Sequence, residues 1–316
     1  GAVPVRHPLN LGMLGMHGAR FTNKALEACD LLIAVGSRFD DRATGRMDRF
    51  CPDATVIHVD IDPTEIEKLR SAAVGITGEA RLVLEALLPL VEANSRSDWI
   101  REVEGLRQEF PLDLSGEDDL STSYGLIRAA AECLPEDAII TTDVGQHQMK
   151  VAQAYPFRRP RTWQTSGGLG TMGFGLPAAI GAALAEPWRT VVCFSGDGSF
   201  LMNVQELAVL AEERLNVKII LMDNQSLGLV HQQQDLFYGS RFIAVDYTVA
   251  VDFTTVARGF GIPATRLADC ADPEAFLQAT LRAPGPHLIH ARIDVYDKVF
   301  PMVPPGAANS HMLIRA

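Results

Sequence analysis

Short apolar runs without polar alternation recur along the chain, each closed by a glycine or a polar residue. Asp30-Leu-Leu-Ile-Ala-Val-Gly36 and Ala54-Thr-Val-Ile-His-Val-Asp60 have the pattern of strands buried on both faces of a parallel sheet. A helical stretch around Thr22–Cys29 precedes the first run. After the second, Asp62-Pro63-Thr64-Glu65 reads as a helix start with proline in the first turn, and Gly75–Glu79 leads into an apolar helix over Leu82–Val91. Residues 93–120 change character: Ala93-Asn-Ser-Arg-Ser-Asp98 has a linker composition, and Asp113-Leu-Ser-Gly-Glu-Asp-Asp119 reads as a solvated acidic connector. From Ser121 the rhythm resumes with a helix over Leu126–Cys133, a strand over Ala138–Thr142 and a helix over Gln146–Ala154. A glycine-rich segment, Ser166–Gly175, opens a helix over Leu176–Ala185, followed by strand Thr190–Ser195, helix Val204–Glu213 and strand Val217–Met222. Helices over Phe253–Phe260 and Pro273–Leu281 and a strand over His287–Ile293 complete the series. The fold class is therefore α/β, with two doubly wound parallel-sheet domains at 1–92 and 121–316 and a linker at 93–120.

Composition narrows the function. The chain has 316 residues, 47% hydrophobic and 21% charged, with 28 Lys plus Arg against 39 Asp plus Glu for a net charge of −11. That balance lacks the basic footprint of a nucleic-acid or anionic-membrane binder. No apolar run reaches the roughly 20 residues of a membrane span, and the opening Gly-Ala-Val-Pro has no signal-peptide core. Five cysteines, widely spaced and without a CxxC pair, argue against a disulfide framework or a thiolate zinc site and suit a reducing cytosol. A start at glycine without a capped first element reads as part of something longer.

In a parallel sheet, ligands gather beyond the carboxyl ends of the strands. Asp197 follows one strand between two glycines, and Asn224 follows the next, 27 residues on, one helical crossover away. If those strands are neighbours, a carboxylate and an amide oxygen meet at the sheet edge, where with a backbone carbonyl they suit Mg²⁺. The turn amides of Gly198 and Ser199 can face a bulky anion there; helix Val204–Glu213 begins too late to do so. Taken alone, Gly-Asp-Gly-Ser would be only a turn. A competing motif, Gly168-Leu-Gly-Thr-Met-Gly173, formally matches the dinucleotide fingerprint. The polar stretch Arg161–Gly167 before it is a poor first buried strand, so a nicotinamide dehydrogenase is the weaker reading.

Several long motifs carry a narrower resemblance. Asp143-Val-Gly-Gln-His-Gln-Met149, Ser166–Ala178, Gly196-Asp-Gly-Ser-Phe-Leu-Met-Asn-Val-Gln-Glu-Leu207 and Met302-Val-Pro-Pro-Gly306 resemble the large catalytic subunit of acetolactate synthase, a thiamine-diphosphate-dependent family. Gly12-Met-Leu-Gly-Met-His-Gly18 and Gly36-Ser-Arg-Phe-Asp-Asp-Arg42 are similar to that family's FAD-binding middle domain. The resemblance implies a truncated FAD-binding middle domain followed by a C-terminal thiamine-diphosphate-binding domain. It assigns Mg²⁺ to Asp197, Asn224 and the Ser226 carbonyl, and diphosphate contacts to Val144, Gly145, Gln146, His147, Gly198, Ser199, Leu227 and Gly228. Gly170, Met172 and Leu229 would lie along the cofactor rings. FAD, mainly structural in this family, would meet Gly15, Met16, His17, Gly18, Gly36, Arg38, Asp41, Arg42, Asp60 and Ile61. Arg38 and Arg42 can fork onto a pyrophosphate and Asp60 can accept from a ribose hydroxyl; without the resemblance, residues 38–42 would read as a surface ion-pair cluster.

The implied reaction decarboxylates pyruvate on thiamine diphosphate and condenses the two-carbon unit with a second 2-oxo acid, giving 2-acetolactate for branched-chain amino acid synthesis. A cytoplasmic homodimer or tetramer is implied, with the active site between subunits, and a small regulatory subunit is compatible with it. The family's activating glutamate belongs to an N-terminal domain absent from this sequence, so the 316 residues alone are expected to be inactive. Two departures from the family stand out: Leu229 and Gln233 stand where Met and, four residues on, a channel-wall Trp are usual, and Lys150 stands where relatives tend to have Trp. The first departure removes packing against an acceptor's extra methylene; Lys150 reads by default as a solvated lysine.

Overall fold

In the computed structural model, which describes residues 1–315, the apolar runs become neighbouring strands of two separate parallel sheets. The first unit comprises Leu11–Asp113 and the segment from Phe300 onward. Its elements are α1 (Arg20–Ala28), β1 (Leu31–Val35), α2 (Asp41–Thr44), β2 (Thr55–Asp60), β3 (Val74–Thr77), α3 (Ala80–Leu87) and α4 (Ser97–Glu109), with sheet order β1-β2-β3. Asp62-Pro63 starts no helix. The Asp62 carboxylate accepts from the Thr64 N–H at 2.9 Å and the Thr64 hydroxyl at 2.7 Å, closing a turn that competes with helix. The chain then enters β3, a strand that the sequence pattern did not suggest.

The division differs from the expected 1–92, 93–120 and 121–316. Residues 97–109, expected as linker, form α4, which packs on α1; the Arg20 guanidinium lies 4.3 Å above the Phe110 ring. The C-terminal segment returns to this unit, where the Val303 N–H donates to the Met16 carbonyl at 2.9 Å and Asn309 Nδ2 donates to the Ala43 carbonyl at 2.9 Å.

The second unit comprises Gly1–Asn10 and Leu114–Val299. Along the chain it contains α5 (Ser123–Cys133), β4 (Ile139–Thr142), α6 (Gln146–Ala154), β5 (Trp163–Thr165), α7 (Gly175–Ala185), β6 (Val191–Gly196), α8 (Asp197–Met202), α9 (Leu207–Glu212), β7 (Val217–Asp223), α10 (Gly228–Phe237), α11 (Phe253–Gly259), β8 (Ala264–Arg266), α12 (Pro273–Arg282) and β9 (His287–Arg292). The six parallel strands run in the order β5-β4-β6-β7-β9-β8. Alternate side chains feed two cores, as a sheet covered on both faces requires. Ile140, Val192, Phe194, Ile220 and Ile289 join residues of α5, α6 and α12 on one face. Ile139, Val191, Cys193, Ile219 and Leu288 join those of α7, α9 and α11 on the other. Among the described residues no helix is long and apolar enough to cross a membrane.

Two local expectations change, at Gly-Asp-Gly-Ser and at Lys150, and the reading of the dinucleotide-like glycines stands. Gly-Asp-Gly-Ser is no turn: Gly196 caps α8, which starts at Asp197, so the Gly198 and Ser199 amides belong to a helix's first turn. The dinucleotide-like glycines 168–173 lie in an irregular segment after the three-residue edge strand β5, which is not a Rossmann first strand. Lys150, expected in solvent, is 0% exposed. Its ammonium pairs with the Asp297 carboxylate, donates to the Asp297 carbonyl at 2.8 Å and lies 4.9 Å from the Tyr124 ring centre. Burial pushes the Lys150 pKa down while Asp297 works to raise it.

Candidate functional site

Neighbouring parallel strands end side by side, so the register of β6 and β7 decides what meets at their tips. Gly196 is paired with Met222, which sets Asp197 and Asp223 next to each other, followed by Asn224. On the far side of β6, β4 delivers Asp143. The buried Asp143 carboxylate accepts from the N–H groups of Val144 (2.8 Å), Gly173 (2.8 Å) and Gly175 (3.0 Å), and thus anchors the end of the glycine-rich segment. Ser199 Oγ donates to the Val144 carbonyl at 2.7 Å, joining α8 to the β4 tip.

These tips enclose a cavity of about 220 Å³. Every residue assigned from the sequence to the metal and to thiamine diphosphate lines it: Val144, Gly145, Gln146 and His147 from the β4–α6 turn, Gly170 and Met172 from the glycine-rich segment, Asp197, Gly198 and Ser199 from α8, and Asn224, Ser226, Leu227, Gly228 and Leu229 beyond β7. Gln233 does not line it; the residue sits half-buried on α10, one turn past Leu229. Ser123 lines the cavity and escaped the sequence reading, as did the structural role of Asp143. A strand-end aspartate was the available signal for Asp143.

The electrostatics fit a cation and an anion. Asp197 Oδ1 accepts from the Gly198 N–H at 2.7 Å, while Oδ2 is buried without a partner. Burial, together with the Asp223 carboxylate beside it, pushes the Asp197 pKa up to about 7. Burial also works to raise Asp223, but His290 Nε2 at 2.8 Å and Arg292 Nη1 at 3.2 Å help hold it at about 2. A buried carboxylate oxygen without a hydrogen-bond partner, in the wall of a cavity that Asn224 also lines, suits a hard cation; among the described residues no group of three or more His, Cys, Asp or Glu offers an alternative metal cage. Burial lowers the His147 pKa to about 4, and its Nε2 also lacks a partner. A Cβ on Gly198 would crowd Tyr247 Oη and Leu227 Cδ2, so a larger residue there would push these side-chain ends aside.

The FAD candidates lie in the first unit. Gly36 and Asp60 end the paired strands β1 and β2, and the Gly36 N–H donates to the Val59 carbonyl at 2.8 Å. Gly15, at φ 85°, runs so close to α2 that a Cβ would lie 2.2 Å from the Arg42 carbonyl. Asn23 fixes that loop, accepting from the Gly15 N–H at 2.8 Å and donating to its carbonyl at 2.9 Å; the sequence reading had not singled it out. Met16 and His17 are buried, the latter with Nδ1 3.0 Å from the Pro301 carbonyl and its pKa lowered by burial to about 4. The Gly18 N–H donates to the Gly15 carbonyl at 3.0 Å, and Asp60 accepts from the Asp62 N–H at 2.9 Å. Ile61 is 71% exposed. Asp40 caps α2, while Arg38, Asp41 and Arg42 project outward; Arg42 Nη1 is 3.9 Å from Asp41, leaving its fork at the surface. Outward guanidiniums beside a buried strand-end acid suit a dinucleotide's pyrophosphate and ribose.

Comparison with known proteins identifies the family. The family model for the thiamine pyrophosphate enzyme central domain matches residues 1–87, and that for the C-terminal TPP binding domain matches residues 143–291. The chain is 57% identical over 313 residues to acetolactate synthase isozyme 1 large subunit of Escherichia coli, covering 99% of this chain and 56% of that protein. It is 48% identical to the isozyme 2 large subunit of the same organism, over 99% of this chain and 57% of the relative, and 42% identical to chloroplastic acetolactate synthase 1 of Zea mays, over 99% and 51%. The chain thus spans about half the length of these relatives. With one family's two domain models matched in order along most of its length, the chain belongs to the thiamine pyrophosphate enzymes and is similar to the acetolactate synthase large subunits within them.

Proposed function

We propose that this chain is the cofactor-holding part of an acetolactate synthase large subunit, which decarboxylates pyruvate and joins the two-carbon unit to a second 2-oxo acid. The observation that carries the reading is the single cavity lined by all the expected thiamine diphosphate and metal residues, with Asp197 Oδ2 buried and unpartnered in its wall. Asp197, Asn224 Oδ1 and the Ser226 carbonyl would hold Mg²⁺. The Gly198 and Ser199 amides and His147 would meet the diphosphate. Met172, Leu227 and Leu229 offer an apolar wall that keeps water from the reacting centre. Thiamine diphosphate bound there supplies the carbon nucleophile and electron sink; the protein supplies position and electrostatics. In the first unit, Arg38 and Arg42 would grip the FAD pyrophosphate and Asp60 a ribose hydroxyl. We place the protein in the cytosol, as a homo-oligomer that accepts a small regulatory subunit.

Product analysis tests the reading. The full-length protein is expected to convert pyruvate to 2-acetolactate and CO₂, whereas the isolated 316 residues give none. Appreciable acetolactate from the isolated chain, or none from the full-length protein, refutes it. The acceptor pocket gives a second test. Leu229 lines the cavity and Gln233 follows on the same face of α10, so the extra methylene of 2-oxobutyrate meets no indole. Loss of that contact is worth roughly 1–3 kcal/mol. In competition, the full-length protein is expected to show little preference for 2-oxobutyrate over pyruvate as acceptor; a strong preference contradicts this assignment of Gln233.

A further inference from the structure

A run of side-chain amides lies behind the proposed metal ligands, and its polarity is fixed from one end. Gln232, on α10, is fully buried. Its Oε1 accepts from the Val299 N–H at 2.8 Å and its Nε2 donates to the Val299 carbonyl at 2.9 Å. A peptide N–H only donates and a carbonyl only accepts, so this amide has one permitted orientation. Its Oε1 takes a second donor, Gln146 Nε2, at 3.0 Å. Gln146 therefore turns its oxygen the other way, where it accepts from Asn224 Nδ2 at 3.2 Å. Asn224 is left with its nitrogen toward Gln146 and its Oδ1 accepting from the Ser226 N–H at 3.1 Å, with a lone pair to spare.

We propose that Gln232 is a positioning residue that sets, through Gln146, which end of the Asn224 amide is presented to a divalent cation. The proposal rests on the reading of Asn224 as a ligand. The two ends of a carboxamide are nearly isosteric, so shape alone does not choose between them. Presenting the –NH₂ end would place a donor against a cation, and a buried backbone pair is a rigid reference from which to exclude it. The sequence separation of Gln232 from Gln146 hides this link from any local motif.

The test is a double-mutant cycle in the full-length, cofactor-free protein, read as the Mg²⁺ concentration giving half-maximal thiamine diphosphate uptake in calorimetry. Gln232→Met, close in shape but unable to relay polarity, is expected to raise that concentration about tenfold, the scale of lost support behind a metal ligand. Asn224→Asp has two equivalent oxygens and no orientation to set, so in that background Gln232→Met is expected to change it less than twofold. An equal cost in both backgrounds would mean a purely structural role and overturns the proposal, as does no cost in the native background. If Gln232→Met fails to fold, Gln232→Leu carries the same cycle. Asn224→Ala separates the premises: undiminished Mg²⁺ dependence there removes the ligand reading, and the relay with it, whereas loss of that dependence beside a flat cycle removes the relay alone.

Discussion

Asp197→Asn is expected to abolish Mg²⁺-dependent uptake of thiamine diphosphate by the full-length protein, weakening it about a hundredfold or more, beyond what support residues behind a metal ligand cost. The substitution keeps the volume and the acceptor for the Gly198 N–H, so it tests charge rather than packing. It also removes one of two buried carboxylates that face each other, and the cofactor-free variant is expected to melt at a higher temperature than the parent. Calorimetric titration and thermal unfolding of the same preparation check both halves. Uptake unchanged by the substitution would remove the metal from this position altogether.

The second large effect concerns stability. Asp297→Ala leaves the Lys150 ammonium buried without its carboxylate, and stranding one member of a buried pair costs about 3–5 kcal/mol. Lys150→Met removes the charge that needs pairing and puts a thioether beside the Tyr124 ring, so its cost is expected to stay below about 1.5 kcal/mol. Asp297 tolerates the loss better because its side chain keeps 21% exposure and still accepts from the Ser123 N–H at 2.9 Å. Urea unfolding of the two variants gives the comparison, and equal destabilisation would contradict this account. Because Lys150 lies on α6 and Ser123 lines the cavity, the pair also steadies two elements that frame the cofactor site.

What the sequence revealed and what it hid divide along a physical line. Apolar runs made β1, β2, β4, β6, β7 and β9 stand out, and the residues that follow them marked the site; β4, β6 and β7 are buried on both faces, whereas β1 exposes Leu31 and Ile33, against the expectation for that run. Helix α6 fell at its expected bounds, Gln146–Ala154. The short strands β3, β5 and β8 carry no such run; all three are edge strands, recognised only by their pairing. Lys150 was read as solvated because its partner lies 147 residues away in sequence. Gly-Asp-Gly-Ser taken alone has the chemistry of a turn, and only its place one crossover from Asn224 marks it as more; in the structure it opens α8. Residues 97–109 looked like linker until the α1 surface that covers them was known.

The path of the polypeptide has a practical consequence. It passes from one compact unit to the other three times, after Asn10, after Asp113 and after Val299. No single cut by a protease can therefore release either unit as one intact continuous piece. Phe300–Arg315 belong to the unit that carries the flavin candidates, although the stretch before them, Leu114–Val299, belongs to the other unit. Separating the two for biophysics would take a rewired chain order, not a truncation.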